Sequence, residues 1–350
     1  MIGEDISGRV LLVGPDCDSP RGGIGKVTQS YKQLFHTFNY LTTQKEGSFI
    51  KKMLVFLISL IRLIPTLLGR KIKVVHVHGS SDGSFYRKAI IIILSKMAGK
   101  KVIYHIHSGA FKEFAAKHKK AVRYILQKSD TVVALSNYWK EYYEQELGCN
   151  HVNVVLNIMD EPHEDHACRN PQKCTFLFLG KICDHKGVFD LLNVINENSE
   201  QLRPFLRLLI AGIGETERLL SYIKTHHLED IIEYKGWVDG DEKTQLLNQS
   251  DVFVLPSYYE GVPISLLEGF SYHLPAITTP VGGIPEILKD GENGILIQPG
   301  DKKALFLAMK RLIESPELRE KMGNIGYITS MEHLPCKVEE TLSCLYKQYI

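Results

Sequence analysis

The apolar run Val252-Phe253-Val254-Leu255 does most to constrain the fold of this chain. A short apolar run without polar alternation reads as a strand buried on both faces, and such strands belong in parallel sheets covered by helices. The turn behind it, Pro256 to Pro263, carries a carboxylate, a glycine and a proline, and then a helical apolar period begins. Other strands are read at Val10–Gly14, Val74–His78, Lys101–His107, Thr131–Ser136, Val152–Asn157, Thr175–Gly180, Leu206–Ala211, Ile231–Val238 and near Ile295. Helical patterns lie between them, over Val27–Phe35, Ala89–Met97, Ala121–Lys128, Tyr138–Glu146, Glu242–Gln249 and Leu305–Ile313. Strands alternating with helices define an α/β chain. At 350 residues it is long for one core, and two domains of roughly 150–180 residues are expected.

Hydrophobic residues make up 44% and charged residues 23%, which describes a globular rather than a disordered chain. The net charge of +2 conceals an asymmetry: Gln44–Lys128 holds 18 Lys or Arg against three acids, Glu46, Asp82 and Glu113. That excess, continued through Lys96, Lys100, Lys101, Lys112, Lys117, Lys119 and Lys120, predicts an anionic partner for the first half. An anionic membrane surface ranks first; nucleic acid is not expected, because no nucleic-acid-binding motif accompanies the charge. The seven cysteines are scattered without C-x-x-C or metal spacing, which fits a reducing, cytoplasmic compartment. The start, Met1-Ile2-Gly3-Glu4-Asp5, does not read as a signal peptide.

The most apolar segment is Lys51–Leu68. Arg62 and Pro65 interrupt it, and Met53–Ile61 falls short of the roughly 20 residues that span a bilayer. Two readings stay open: a helix packed on the sheet, slightly favoured, and an interfacial helix flanked by Lys51, Lys52, Arg70, Lys71 and Lys73.

Glu260 and Glu268 stand eight positions apart. With the first in the turn and the second inside the helix, both can face the crevice at the carboxyl ends of the strands, where open α/β sheets bind ligands. The backbone N–H groups from Gly261 through Val262 and Pro263 to Ile264 would lie at the helix N-terminus, which favours oxygens and negative charge. Alone, two such glutamates read as solvated charges. Upstream, Gly22-Gly23 sits in a loop between the first strand and its helix; Lys26-Val27 excludes a P-loop, which requires Ser or Thr after the lysine. His107 ends one strand, and His105 is read as projecting the opposite way and as structural. His76 and His78 receive no role beyond their strand, and no metal site is expected from the four histidines.

Taken together, Pro-Ser-x-x-Glu260-x7-Glu268 and the downstream Pro275–Glu286 run resemble the retaining glycosyltransferases of family 4. The resemblance implies the GT-B fold: two Rossmann-like doubly wound parallel-sheet domains facing a cleft. It places an acceptor-side domain at 1–165, a nucleotide-sugar-binding domain at 166–330 and a helix at 331–350 crossing back, with a hinge within Asn157–Lys173. It also implies site roles. Lys181 and Lys186 resemble the family's phosphate grip, with Lys181 standing where relatives mostly carry Arg. Gly22 and Gly23 lie over the donor diphosphate, Gly212 lies near the nucleotide, and the backbone at Val238 meets the base. Glu268 holds the ribose, Glu260 the sugar hydroxyls, and His107 the transferred sugar. The implied substrates are a nucleotide-sugar donor and a glycan or lipid-linked glycan acceptor, with no metal or other cofactor. A silent nucleotide-sugar-binding subunit and a sugar-nucleotide epimerase of the same fold are the competing readings.

Overall fold

The computed structural model describes residues 1–20, 22–162 and 172–350. The chain divides into two units, Met1–Asp160 with His333–Ile350, and Glu161–Glu332. The middle of the expected hinge, 163–171, and with it the expected 165/166 boundary, lies outside the described residues.

The first unit is built on six parallel strands: β1 Val10–Gly14, β2 Tyr40–Thr42, β3 Val74–Gly79, β4 Lys101–Ile106, β5 Thr131–Ala134 and β6 Val152–Val154. Their order is β2-β1-β3-β4-β5-β6. The chain steps from β1 out to β2, then returns to β3 on the other side of β1, so the topological switch point lies between β1 and β3. Every residue of β1, β3 and β5 is buried; β1 is an unbroken apolar run, whereas β3 buries His76 and His78 with its valines. The helix Pro335–Lys347 belongs to this unit: Tyr346 is fully buried, and Glu339 pairs with the Met1 ammonium at 2.5 Å.

Helix Phe49–Leu68 is capped by Ser48, whose hydroxyl accepts from the Lys51 N–H. Phe56, Leu63 and Leu67 join the core of Val75, Val77 and Tyr104. Turned away from that core, Phe49, Ile50, Leu54, Leu57, Ile58, Ile61, Ile64 and Leu68 are exposed, Ile61 at 71%. The helix is thus apolar on two faces and packed through only one. The basic excess is not all surface. Lys100 is buried, with its ammonium donating to the Gly69 and Ile72 carbonyls, and Lys96 and Lys101 both pair with Asp130. Lys88 is buried as well, bonded to Thr43, and burial pushes its ammonium down to about 7.

The second unit also has six parallel strands: β7 Cys174–Leu179, β8 Leu206–Ala211, β9 Ile232–Gly236, β10 Val252–Leu255, β11 Ala276–Thr278 and β12 Gly294–Leu296. Their order is β12-β11-β10-β7-β8-β9. Here the chain runs outward from β7 to β9 and returns to β10 beside β7. The switch point therefore lies between β7 and β10, the strands that carry Lys181, Lys186 and Glu260 at their carboxyl ends. Gly212, at φ +145°, lets the end of β8 press on Gly180; a Cβ there would run into the Gly180 carbonyl.

Candidate active site

In the second unit β7 ends at Leu179, and Lys181 stands exposed just beyond it. The loop then forms a 3₁₀ turn over Asp184–Lys186 and enters helix Val188–Glu197 through Gly187 in the left-handed region. Only glycine fits there, because a Cβ would meet the Pro256 carbonyl of the neighbouring loop. This close approach sets Lys186 against the turn after β10. Its ammonium donates to Glu260 Oε1 at 2.5 Å, and the buried Ser257 hydroxyl donates to the same oxygen at 2.8 Å. The Glu260 side chain is 7% exposed and that of Lys186 21%, so the carboxylate is enclosed while the ammonium keeps access to solvent. The ring of His185 stacks on Tyr259 at 5.0 Å and ties the two loops together a second time. Burial first, then the charges of Lys186 and Lys181, lowers the His185 pKa and keeps that imidazole neutral.

Helix Ile264–Ser271 starts after Pro263. Proline has no N–H, so the expected row of amides from Gly261 to Ile264 reduces to those of Gly261, Val262 and Ile264. Val262 is buried at the start of this helix. Glu268 lies on this helix as expected but is not a bare carboxylate: Lys243, on helix Gly240–Asn248, donates to its Oε1 at 2.6 Å. Lys243 was not legible as the partner of Glu268, since nothing in local sequence pairs residues 25 positions apart; Ser257, three positions before Glu260, stood in the Pro-Ser motif without a bonding role. Val238 follows β9, half-buried beside the exposed Trp237.

In the first unit the loop after β1 leads to helix Gly23–Leu34, with Gly22 at its cap. A Cβ at Gly22 or Gly23 would meet nothing within 4 Å, so packing requires neither glycine. The glycine that packing does require is Gly25, pressed against the Asp16 carbonyl and Pro20. His107 lies just past β4, half-buried, its Nε2 at 3.0 Å from His78 Nδ1. His105 does not project the opposite way. Residues two apart on an extended chain share a face, and the rings of His105 and His107 lie 4.1 Å apart. His76 and His78 complete the cluster, with His76 Nδ1 at 2.6 Å from the Tyr346 hydroxyl. Burial lowers the pKa of all four imidazoles, that of His76 to about 3, so they are neutral near pH 7. One nitrogen from each of His76, His78 and His105 lies within 4.8 Å of the others, the one group among the described residues with the composition of a metal site.

Family models match both units: "Glycosyltransferase Family 4" over residues 27–161 and "Glycosyl transferases group 1" over residues 161–329. The chain belongs to the GT-B glycosyltransferases of group 1 and family 4. It is similar to the putative colanic acid biosynthesis glycosyltransferase WcaL of Escherichia coli, at 23% identity over 82% of this chain and 73% of WcaL. Its fold matches sucrose-phosphate synthase of Thermosynechococcus elongatus, with a TM-score of 0.79 at 16% identity over 97% of this chain and 98% of the synthase. It also matches Anabaena HepE, solved in complex with UDP and glucose, with a TM-score of 0.74 at 14% identity over 97% of this chain and 99% of HepE. As a glycosyltransferase of this group, the chain carries the Lys186–Glu260–Ser257 cluster on the β7 and β10 loops of the unit that the group 1 model covers.

Proposed function

We propose that this glycosyltransferase moves a hexose-type sugar from a nucleotide-sugar donor to a glycan or lipid-linked glycan acceptor, with retention of configuration, in surface polysaccharide or glycoconjugate synthesis. The observation that carries the donor assignment is the ammonium of Lys186 held by Glu260 at the switch point of the second sheet. A cation with one enclosed anionic partner and one solvent-facing side is suited to a diphosphate. Lys181, exposed beside it, adds a second positive charge for the leaving group. Glu260 and the amides of Gly261, Val262 and Ile264 would meet sugar hydroxyls. Glu268, shared with Lys243, would accept from the ribose, with Gly212 near the nucleotide and the backbone at Val238 meeting the base. In the first unit, Gly22, Gly23 and a neutral His107 are the residues proposed for the donor. Leaving-group stabilisation then comes from lysine and backbone N–H groups with no metal at the diphosphate, and no side chain serves as nucleophile.

WcaL's name and the UDP and glucose bound to HepE support the polysaccharide and nucleotide-sugar parts of this reading. Thermal shift against a panel of sugar nucleotides tests it: one donor should raise the midpoint, since ligand binding stabilises the folded state. Transfer from that donor, with NMR of the anomeric product, distinguishes a retaining transferase from an epimerase or a silent binding subunit. A panel without any stabilising donor overturns the assignment.

No helix among the described residues is long and apolar enough to cross a membrane. The exposed apolar face of Phe49–Leu68, next to exposed Lys51, Arg62, Arg70 and Lys71, supports peripheral contact with an anionic membrane, where a lipid-linked acceptor would lie. Fully burying one such side chain contributes roughly 1.5–3 kcal/mol. The Leu57→Glu/Ile61→Glu variant should therefore float with phosphatidylglycerol vesicles at least about tenfold less than wild type. Absence of wild-type flotation at low salt rules the membrane contact out.

A further inference from the structure

His76, His78 and His105 stand on one face of the first sheet. His76 and His78 are two apart on β3, and His78 lies opposite His105 in the parallel register with β4. All three are fully buried. His76 Nδ1 faces the Tyr346 hydroxyl and His78 Nδ1 faces His107 Nε2. The other nitrogen of each, Nε2, and both nitrogens of His105 find no protein partner. A buried polar atom left in that state is unfavourable, so four in one cluster point to a polar occupant. A single water donates only two hydrogen bonds, whereas one cation can bind a nitrogen lone pair from each of the three rings.

We propose that His76, His78 and His105 form a buried tri-histidine site for a zinc-like divalent cation. The ligand set fits. Imidazole nitrogens without a carboxylate favour zinc over magnesium or calcium. The nitrogens already lie within 4.8 Å of one another and need only draw together around Zn–N bonds of about 2.0–2.1 Å. The groups behind the ligands fit as well. Metal-ligating histidines donate their other ring N–H to an acceptor, and here Tyr346 Oη and His107 Nε2 stand at those positions. The cation joins β3 to β4 and, through Tyr346, to the C-terminal helix. Through the His78 Nδ1–H it also makes His107 Nε2 a hydrogen-bond acceptor and leaves the His107 proton on Nδ1, which makes His78 a positioning residue. The histidines belong to the first unit and the lysines proposed for the diphosphate to the second, so cation binding here does not depend on the donor assignment.

Metal analysis of untagged protein, refolded with zinc because the site is enclosed and then dialysed against metal-free buffer, tests the proposal. Stoichiometric zinc is expected, as are visible d–d bands of a nitrogen-ligated centre when cobalt replaces it. The His78→Gln and His105→Gln variants should lose both, whereas the exposed-histidine variant His36→Gln should keep them. Substoichiometric zinc in refolded wild type, with a melting midpoint unmoved by a strong chelator, overturns the site and leaves a hydrated histidine cluster in its place. The wild-type measurement decides the matter even if the variants fail to fold.

Discussion

Replacing Glu260 by glutamine is expected to lower transfer by about 10²–10³-fold, the range seen when one preorganised electrostatic contact is removed from an active site. The amide keeps the volume of the carboxylate and can still accept from Ser257, so the turn after β10 should hold its shape. What is lost is the charge opposite Lys186. The stability cost should stay near 1–3 kcal/mol, because the lysine side chain, 21% exposed, can turn to water. Lys186→Met should lower kcat to a similar extent. The two effects should not add: the double variant is expected to be no worse than the poorer single one, since each removes the same pair. Steady-state kinetics with circular dichroism on all three proteins provides the check. A glutamine variant with near wild-type kcat would remove Glu260 from the site, and fully additive losses would show that the two residues act apart.

The second large effect is expected at Gly282. Its φ is +57°, and a Cβ there would run into the Glu260 carbonyl. Gly283 N–H donates to the Gly261 carbonyl at 2.7 Å, so the loop after β11 is pressed against the Glu260 turn along its backbone. Backbone cannot yield as a flexible side chain would, so Gly282→Ala should cost more than about 3 kcal/mol, in the range reserved for strain or overpacking. Gly291 is the matched control: φ is +77°, but nothing lies within 4 Å of its would-be Cβ. There alanine should cost only the left-handed penalty of about 1–2 kcal/mol. Denaturant melts of the two variants separate the clash from the dihedral; equal losses would mean that the Gly282 contact is soft.

The strands that form the two sheets were legible because burial on both faces leaves an unbroken apolar run, as in Val252–Leu255. β2 and β11 were not read as strands: three residues each, Tyr40–Thr42 and Ala276–Thr278, carry no period. Helix Phe111–Lys117 was missed for the same reason of length. Lys186 and Glu260 could be named from the resemblance, but their hydrogen bond joins residues 74 positions apart, a distance only the fold closes. The wrong direction given to His105 has a different cause. Extended chain repeats every two residues, so the fact that placed His107 on a face placed His105 with it. In the first glycine loop the visible pair, Gly22-Gly23, drew the reading, whereas the steric demand falls on Gly25, which sequence does not distinguish from its neighbours.

Because residues 333–350 belong with residues 1–160, the first unit is discontinuous, whereas Glu161–Glu332 is an uninterrupted piece of chain. During synthesis the later-made unit has all its residues before the earlier one does. The first sheet must wait for Tyr346 to seal over His76, so a nascent chain ending near residue 330 would hold one finished half and one half still open to solvent.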